Sequence, residues 1–174
     1  GTGNDFIMLD NRSGKYNFLS VDQIQQLCNR RFGIGADGLI CINSHPEFAF
    51  EVDYSNSDGS KSFCGNGARC SVAFAQQLGI DCSEVDFLAI DGSHQAKISG
   101  DWVAVQMQNV SEIQLLDSDY SLNTGSPHYI RFCNTTDLDT IVSVGRSIRY
   151  SDSFLSVGIN VNLVAESSDK LVVA

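Results

Sequence analysis

The chain has 174 residues, of which 21 are acidic and 11 basic, so its formal net charge at pH 7 is -10. This charge argues against a surface that binds nucleic acid or anionic membranes, because both partners are polyanions. No apolar run reaches the roughly 18 to 20 residues that cross a bilayer, and no basic segment leads into an apolar one. We therefore expect a cytoplasmic protein without a nucleic-acid or membrane partner, acting on a small molecule.

The six cysteines are scattered along the chain without the dense, regular spacing of a disulfide framework. They are Cys28, Cys41, Cys64, Cys70, Cys82 and Cys133. No pair has the CxxC spacing that is typical of a zinc site. The pattern therefore predicts free thiols in a reducing compartment and no metal site.

Three strands and one helix are predicted in the first 55 residues. The strand candidates are DFIMLD (5–10), GLICI (38–42) and FAFEVDYS (48–55), the last with strict alternation of apolar and polar residues. The segment after Leu19 predicts a helix from Val21, because Ser20 and Gln23 form a capping-box pattern, and Gly33 is a stop signal. Its apolar side chains share one face, so we expect it to lie on the surface of the unit.

A second helix is predicted in ARCSVAFAQQLGI (68–80), which is apolar around most of its circumference and should therefore be buried. Three short strands follow in DFLAID (86–91), HQAKIS (94–99) and WVAVQM (102–107), joined at glycine-containing turn signals. They predict a meander that wraps this helix. Together these elements indicate the α+β class.

From about residue 119 the order of elements repeats. TGSPHYIRF (124–132), a short helix near 139–144, GINVNLV (158–164) and KLVVA follow the order of the first 55 residues. The distance from Gly3 to Phe48 is 45 positions, as is the distance from Gly125 to Lys170. We therefore predict two domains, residues 1–118 and residues 119–174. The second is expected to be incomplete, with a counterpart of the Cys64 segment beyond Ala174.

Cys64 lies directly before Gly65-Asn66-Gly67 and the second helix. Glycines let the backbone approach a ligand closely, and the first amides of a helix have no partner within it. The field at the helix N-terminus favours a thiolate, and the same amides suit a substrate carboxylate. The alternative is a small buried hydrophobe, which is what we expect of the other five cysteines. The flanking glycines favour the reactive role for Cys64.

Asparagines recur in loop-like places near strand ends, at Asn4, Asn56, Asn66 and Asn160. Each could be a turn former, and together they could supply neutral donors and acceptors for ammonium and carboxylate groups. Among the histidines, only His128 adjoins a motif, which makes a role in proton transfer as reasonable as a structural one. His45 and His94 fit loop or exposed strand positions.

Six motifs, GTGNDF, GIGADGL, NSDGS, CGNGARC, GSPH and GINV, resemble in their order the diaminopimelate epimerase family, from residue 1 to about residue 164. The resemblance implies a cofactor-independent isomerase that interconverts LL- and meso-diaminopimelate on the route to lysine and peptidoglycan. It also implies two pseudo-symmetric α+β domains, each a mixed, β-barrel-like sheet around a central helix. A homodimer is further implied.

The same resemblance assigns roles to individual residues. Cys64 matches one of two catalytic cysteines, and His128 matches a histidine that supports the thiol chemistry. The residues that match substrate-binding positions are Asn4, Asn56, Gly65, Asn66, Ser126 and Asn160. The family's later ERG segment and CGTG motif, which carries the opposing cysteine, do not occur in this chain.

The chemistry of inversion explains why such a family would use two thiols. Inversion of a stereocentre by proton transfer requires one group to remove the α-proton and another to deliver a proton to the opposite face. No lysine lies in a convincing Schiff-base context, which suits a reaction without pyridoxal phosphate. Two alternatives stay open: another cofactor-independent amino-acid racemase of the same fold, and a non-catalytic amino-acid-binding relative.

Overall fold

A computed structural model describes residues 3–134 and 137–174. The chain divides into two compact units, Gly1–Met107 and Gln108–Ala174. The sequence analysis placed the boundary after residue 118. The strand Ile113–Leu116, which the sequence analysis did not predict, belongs to the second unit because it pairs with the strand that follows it.

The first unit contains one mixed six-stranded sheet and two helices. In the sheet, the strand order follows the chain, and its strands are β1 (Phe6–Asp10), β2 (Gly38–Asn43), β3 (Glu51–Asn56), β4 (Val85–Ala89), β5 (Gly92–Ser99) and β6 (Trp102–Val105). β1 and β2 are parallel, as are β3 and β4, whereas the other neighbours are antiparallel. The predicted meander is thus confirmed in β4 to β6.

Helix α1 (Val21–Cys28) begins with the predicted capping box. The Oγ of Ser20 accepts a hydrogen bond from the Gln23 N–H, and the Gln23 side chain accepts one from the Ser20 N–H. The helix ends at Cys28, before the predicted stop at Gly33. The Oδ1 of Asn29 accepts hydrogen bonds from the backbone N–H groups of Arg31 and Phe32. The Asn29 side chain thus closes a turn that competes with continuation of the helix.

The β2 strand is buried on both faces and divides the unit into two apolar layers. Leu39 and Cys41 pack with α1, whereas Ile40 and Ile42 face the larger cluster around helix α2 (Gly65–Gln77). α2 contacts β1, β2, β3, β5 and β6, so the sheet curls around it. This confirms a sheet wrapped around a buried central helix, as the apolar circumference predicted.

The second unit contains a five-stranded sheet and one helix. Its strands are β7 (Ile113–Leu116), β8 (Asp119–Asn123), β9 (Pro127–Cys133), β10 (Asn160–Ser167) and β11 (Lys170–Val173), in the spatial order β11-β10-β9-β8-β7. Helix α3 (Leu138–Arg149) is longer than the predicted short helix, and Asp137 caps it by accepting from the Thr140 N–H. α3 packs over one face of the sheet through Ile148 and Val144, against Tyr129.

The predicted repeat is present in the topology. β1, α1 and β2 form a parallel pair joined by a helix, followed by antiparallel β3, and β9, α3, β10 and β11 do the same. The register agrees as well, because Phe6 pairs with Gly38 and His128 pairs with Asn160, each separated by 32 positions. Asn4 and Ser126 therefore hold equivalent places, two residues before the first paired position.

The other face of the second sheet is apolar and exposed. Cross-strand pairing places Leu115 beside Tyr120, and Phe132 beside Val164 and Val173. Phe132 is 50% exposed and Leu115 66%. The corresponding face of the first sheet is the one that α2 covers. In the described part of the chain, no helix is both long and apolar enough to span a membrane.

Candidate active site

Cys64 is the N-cap residue of α2. Its backbone is extended (φ -131°, ψ 112°), and its Sγ accepts a hydrogen bond from the Gly67 N–H at 3.4 Å. The thiol is half-buried at the edge of the apolar cluster around α2. A sulfur at an N-cap lies at the positive end of the helix macrodipole, beside first-turn amides that have no partner within the helix. The chain therefore holds this thiol at the start of the buried central helix.

Phe63 anchors the segment that leads into Cys64. Its buried ring stacks on His94, with ring centroids 4.4 Å apart and planes 6° apart. His94 Nδ1 lies 2.9 Å from the Gln106 carbonyl oxygen, and Nε2 lies 3.0 Å from Asp91 Oδ1. The expectation that His94 is a loop or exposed strand residue is wrong, because its side chain is fully buried in this stack. The position of the thiol thus depends on the stacked pair of Phe63 and His94, in which contacts with Gln106 and Asp91 hold the His94 ring.

The two glycines that follow Cys64, Gly65 and Gly67, differ in how much space surrounds them. A Cβ at Gly67 would lie 3.3 Å from Ile40 Cδ1, which is a tight contact, and 3.7 Å from the Cys64 sulfur, which is an ordinary one. A Cβ at Gly65 would make ordinary contacts, the nearest at 3.5 Å from Met107 Cε. Position 67 is therefore tight against Ile40, whereas no crowding requires glycine at position 65. Its proposed role toward a substrate stays a prediction.

Two of the predicted binding asparagines meet at the start of α2. The Nδ2 of Asn66 donates a hydrogen bond to the Oδ1 of Asn4 at 2.8 Å. Asn4 lies just before β1, and Asn66 lies in the first turn of α2, so residues 62 positions apart form one polar group beside Cys64. The structure brings together four predicted site residues here, namely Asn4, Cys64, Gly65 and Asn66.

Asn56 lies in the same unit, but its side chain forms hydrogen bonds within the turn that follows β3 and with Tyr54. The Oδ1 accepts from the Tyr54 hydroxyl at 2.8 Å, and the Nδ2 donates to Ser60 and to the Ser62 Oγ. A ligand at Asn56 must therefore compete with these partners. Tyr54 also fills the space over Gly38, where a Cβ would lie 2.4 Å from the tyrosine ring. Burial, with a smaller contribution from Cys64, raises the pKa of Tyr54 well above its usual range, so its hydroxyl stays a neutral donor.

The other three predicted residues form a group in the second unit. The Ser126 Oγ lies 3.2 Å from His128 Nε2, and the Nδ2 of Asn160 donates to the Ser126 Oγ at 3.3 Å. The pairing of β9 with β10 accounts for this, because His128 and Asn160 are register partners on the exposed face. Sequence reasoning missed Asn162, which lies 3.0 Å from the other nitrogen of His128.

Asn162 sets the tautomer of His128. Its Nδ2 also lies 3.2 Å from the Tyr129 carbonyl oxygen and 3.4 Å from that of Asn160, so this end of the amide must be the donor. The donor meets His128 Nδ1, which therefore accepts, and the proton of a neutral imidazole lies on Nε2 toward Ser126. The alternation of strand residues was the missed signal, since Asn160 and Asn162 share a face.

A hollow of about 680 Å³ lies elsewhere in the first unit, against Asp86 on β4, Gln95 and Lys97 on β5, and Gln106 just after β6. The residues that line it include none of the predicted site residues and no cysteine. The hollow therefore does not coincide with the candidate catalytic groups. A small cavity of about 10 Å³ lies beside Cys64. We assign the site to α2 because a thiol, a helix N-terminus and two amides converge there. Among the described residues, no group of three or more His, Cys, Asp or Glu side chains could hold a metal ion.

Comparison with known proteins decides the family. The sequence model of the family described as diaminopimelate epimerase matches residues 1–113. A diaminopimelate epimerase from Flavobacterium psychrophilum is 46% identical over 170 residues, covering 97% of this chain. The chain belongs to the diaminopimelate epimerase family. It spans 66% of the length of the Flavobacterium relative.

Other diaminopimelate epimerases are similar over nearly the whole chain. The relative from Chlorobaculum tepidum is 35% identical over 94% of this chain and 67% of its own length. The relative from Aquifex aeolicus is 35% identical over 99% of this chain and 69% of its own length. The family assignment from six short motifs is therefore confirmed.

Solved structures show that the fold extends beyond the diaminopimelate epimerase family. A phenazine biosynthesis protein of the PhzF family from Bacillus anthracis superimposes with a TM-score of 0.67 at 11% identity, covering 98% of this chain and 64% of its own. A probable proline racemase from Agrobacterium radiobacter gives a TM-score of 0.59 at 12% identity, with 86% and 56% covered. At these identities the likeness concerns the fold alone, and it confirms the predicted α+β class.

Proposed function

We propose that this chain carries the first catalytic half of a diaminopimelate epimerase, which interconverts LL- and meso-2,6-diaminopimelate. The placement of Cys64 at the N-cap of α2 carries the proposal, because it brings a thiol to a helix N-terminus next to amide donors. Family membership supports the choice of substrate, since the Flavobacterium relative is a diaminopimelate epimerase.

The proposed reaction is a two-base proton transfer. Cys64, as the thiolate, removes the α-proton from one face of the substrate, and a second cysteine delivers a proton to the opposite face. The second cysteine is expected from the part of the relatives' length that this chain does not span. In the reverse direction the two groups exchange roles.

Charge that develops on the substrate α-carboxylate is the main energetic problem of this mechanism. We propose that the amides of Gly65 and Asn66, together with the side chain of Asn4, stabilise the enolate-like transition state. Asn56, Ser126 and Asn160 would complete the substrate contacts, and His128 would support the thiol chemistry. The proton transfer itself requires no cofactor.

The exposed apolar face of the second sheet supports a further part of the proposal. In the first unit the equivalent face is covered by α2, which begins at the catalytic thiol. We propose that a second apolar helix covers the face that contains Phe132 and Leu115. Its N-terminus would then lie on the same face as His128 and Asn160, which occupy the register positions of Phe6 and Gly38.

The decisive experiment follows the α-proton. The full-length protein, incubated with LL-diaminopimelate in D₂O, should form the meso isomer and incorporate deuterium at the α-carbon, both measurable by NMR and chiral chromatography. Cys64→Ala should reduce inversion by at least about 10³-fold, because the base on one face is lost. Cys70→Ala, a change in the same helix, is the matched control and should retain activity.

Inversion at the wild-type rate by Cys64→Ala would overturn the assignment of the base. If the wild-type protein inverted another amino acid but not diaminopimelate, the alternative of a different racemase would replace the proposal. Binding of diaminopimelate without proton exchange would instead support a non-catalytic relative.

We also propose that the protein works as a cytoplasmic homodimer, as the family resemblance implies. Sedimentation equilibrium of the full-length protein should give twice the mass of one chain. A monomer mass at micromolar concentration would contradict this proposal without affecting the chemistry.

A further inference from the structure

A continuous series of side-chain hydrogen bonds connects Asp37 to Arg69 through the two asparagines beside Cys64. The Nδ2 of Asn4 donates to Asp37 Oδ2 at 2.7 Å, and the Nδ2 of Asn66 donates to Asn4 Oδ1 at 2.8 Å. The guanidinium of Arg69 then donates to Asn66 Oδ1. We call this series the amide chain. It joins the segment before β1, the residue before β2 and the first turns of α2.

The two ends of the amide chain give it a single direction. An ionised carboxylate only accepts hydrogen bonds and a guanidinium only donates them, whereas a primary amide can present either of its ends. Asp37 therefore requires the nitrogen of Asn4, which turns the Asn4 oxygen toward Asn66. Arg69 requires the oxygen of Asn66, which turns its nitrogen toward Asn4. Reversal of either amide would place two donors or two acceptors face to face.

Arg30 holds the acceptor end in place. Its guanidinium contacts Asp37 at 2.8 Å and forms two hydrogen bonds with Asp5, at 2.9 and 2.7 Å. The Asn4 hydrogen bond, followed by that of Arg30, lowers the pKa of Asp37 below its usual range. Asp37 is therefore an ionised acceptor at neutral pH, and its orientation is fixed from both sides.

We infer that Asp37 and Arg69 are positioning residues that fix the orientation of the Asn4 and Asn66 side-chain amides beside Cys64, and so the polar groups that a bound substrate contacts there. This inference rests on the function proposed above, because it deepens the role of the same site. Neither residue is assigned a contact with substrate.

Asp37→Asn is the sharpest perturbation, because it preserves shape and replaces the acceptor-only group with an amide that can present either end. In the full-length enzyme we expect KM for diaminopimelate to rise about 5- to 10-fold, the difference between a charged and a neutral hydrogen bond. We expect kcat to fall by at most a similar factor, because Asn4 is also proposed to stabilise the charge that develops in the transition state. Asp37→Glu keeps an acceptor-only group and should stay within about threefold of the wild-type KM.

Two variants of Arg69 test the donor end of the amide chain. Arg69→Gln introduces an amide of either polarity and should raise KM as Asp37→Asn does, whereas Arg69→Lys keeps a donor-only group and should not. Asp86→Asn on the exposed side of β4 is the control for loss of one negative charge. A merely structural role would lower stability without following the polarity of the substituted group. Equal KM values for the Asn and Glu variants at position 37 would overturn the inference.

A second measurement does not depend on activity. In ¹⁵N-labelled full-length protein, Asp37→Asn should shift the side-chain NH₂ signals of both Asn4 and Asn66, although of these two asparagines only Asn4 donates to Asp37. Asp86→Asn should shift neither. If the Asn66 signal stays in place, the amide chain does not transmit orientation and the inference fails. An inactive wild-type enzyme with the predicted shifts would instead refute the proposed function alone.

Discussion

Gly38→Ala tests whether the packing around the site leaves any room at the start of β2. The added Cβ would lie 2.5 Å from the Ser55 carbonyl oxygen and 2.4 Å from Cε2 of Tyr54. Real Cβ contacts are almost never shorter than about 3.0 Å, so both neighbours would have to move. Ser55 belongs to the backbone ladder of β3, and the Tyr54 hydroxyl would lose its bond to Asn56 as the ring moved.

The magnitude follows from these two costs. Overpacking of a close-packed site costs about 1–3 kcal/mol, and loss of one hydrogen bond adds about 1 kcal/mol. We therefore expect Gly38→Ala to lower the free energy of unfolding of the first unit by about 3 kcal/mol. Gly145→Ala in α3 is the matched control, because nothing lies within 4 Å of its Cβ position. There, replacement of a helical glycine should stabilise by about 0.5–1 kcal/mol.

Urea denaturation of the full-length protein, followed by circular dichroism, measures both changes. Native-state hydrogen exchange at the β2 and β3 amides would assign the loss to the first unit. If Gly38→Ala lost less than about 0.5 kcal/mol, the close approach of Tyr54 to β2 would be refuted. A destabilised Gly145→Ala would show that space around a glycine is a poor guide in this fold.

Three further outcomes are expected. Asn162→Leu should lower kcat of the full-length enzyme about tenfold with KM nearly unchanged, because His128 loses the donor that sets its tautomer. The hydrogen bonds of Arg131 lower the pKa of the Asp119 carboxyl below the ordinary value of 3.8. Their contribution to stability is therefore complete above pH 3.8 and is lost as the pH falls through the folded-state pKa; urea unfolding between pH 3 and pH 6 measures it. Ser20→Ala should destabilise the first unit by about 1 kcal/mol in the same assay, because it removes a helix cap.

Matched controls separate these effects from general damage. Asn109→Leu changes an exposed asparagine outside the helices and strands and should leave kcat unchanged. Asp119→Asn should remove the loss of stability near pH 3, whereas Asp152→Asn, at an exposed position, should preserve it. Ser13→Ala should cost less than about 0.5 kcal/mol. An unaltered acid profile in Asp119→Asn would contradict the assignment to this carboxyl.

The sequence predicted those features of the fold that depend on residues close together in the chain or on its regular spacing. Ser20 and Gln23 predicted the start of α1 because the capping box lies within four residues. The apolar circumference of residues 68–80 predicted a central helix, because a helix without a polar face must be buried. The repeat predicted the shared topology of the two sheets, since equal spacing allows equal strand pairing.

Features that depend on distant partners were not predictable in this way. The burial of His94 depends on stacking with Phe63, which lies 31 positions earlier and on another segment. The role of Asn162 required the parallel register with His128. The end of α1 at Cys28 depends on a local competitor, the Asn29 side chain, but the glycine at position 33 was the stronger apparent signal.

The unequal coverage of the two sheets has a consequence for biosynthesis. Residues 1–107 enclose their own apolar cluster around α2, so this unit can acquire a complete interior as soon as it leaves the ribosome. Residues 108–174 leave Phe132, Leu115 and Leu171 exposed on one sheet face. While it is uncovered, that face is a site where chaperones can bind or chains can associate. The order of synthesis thus places the unit with the enclosed interior first and the unit with the exposed apolar face second.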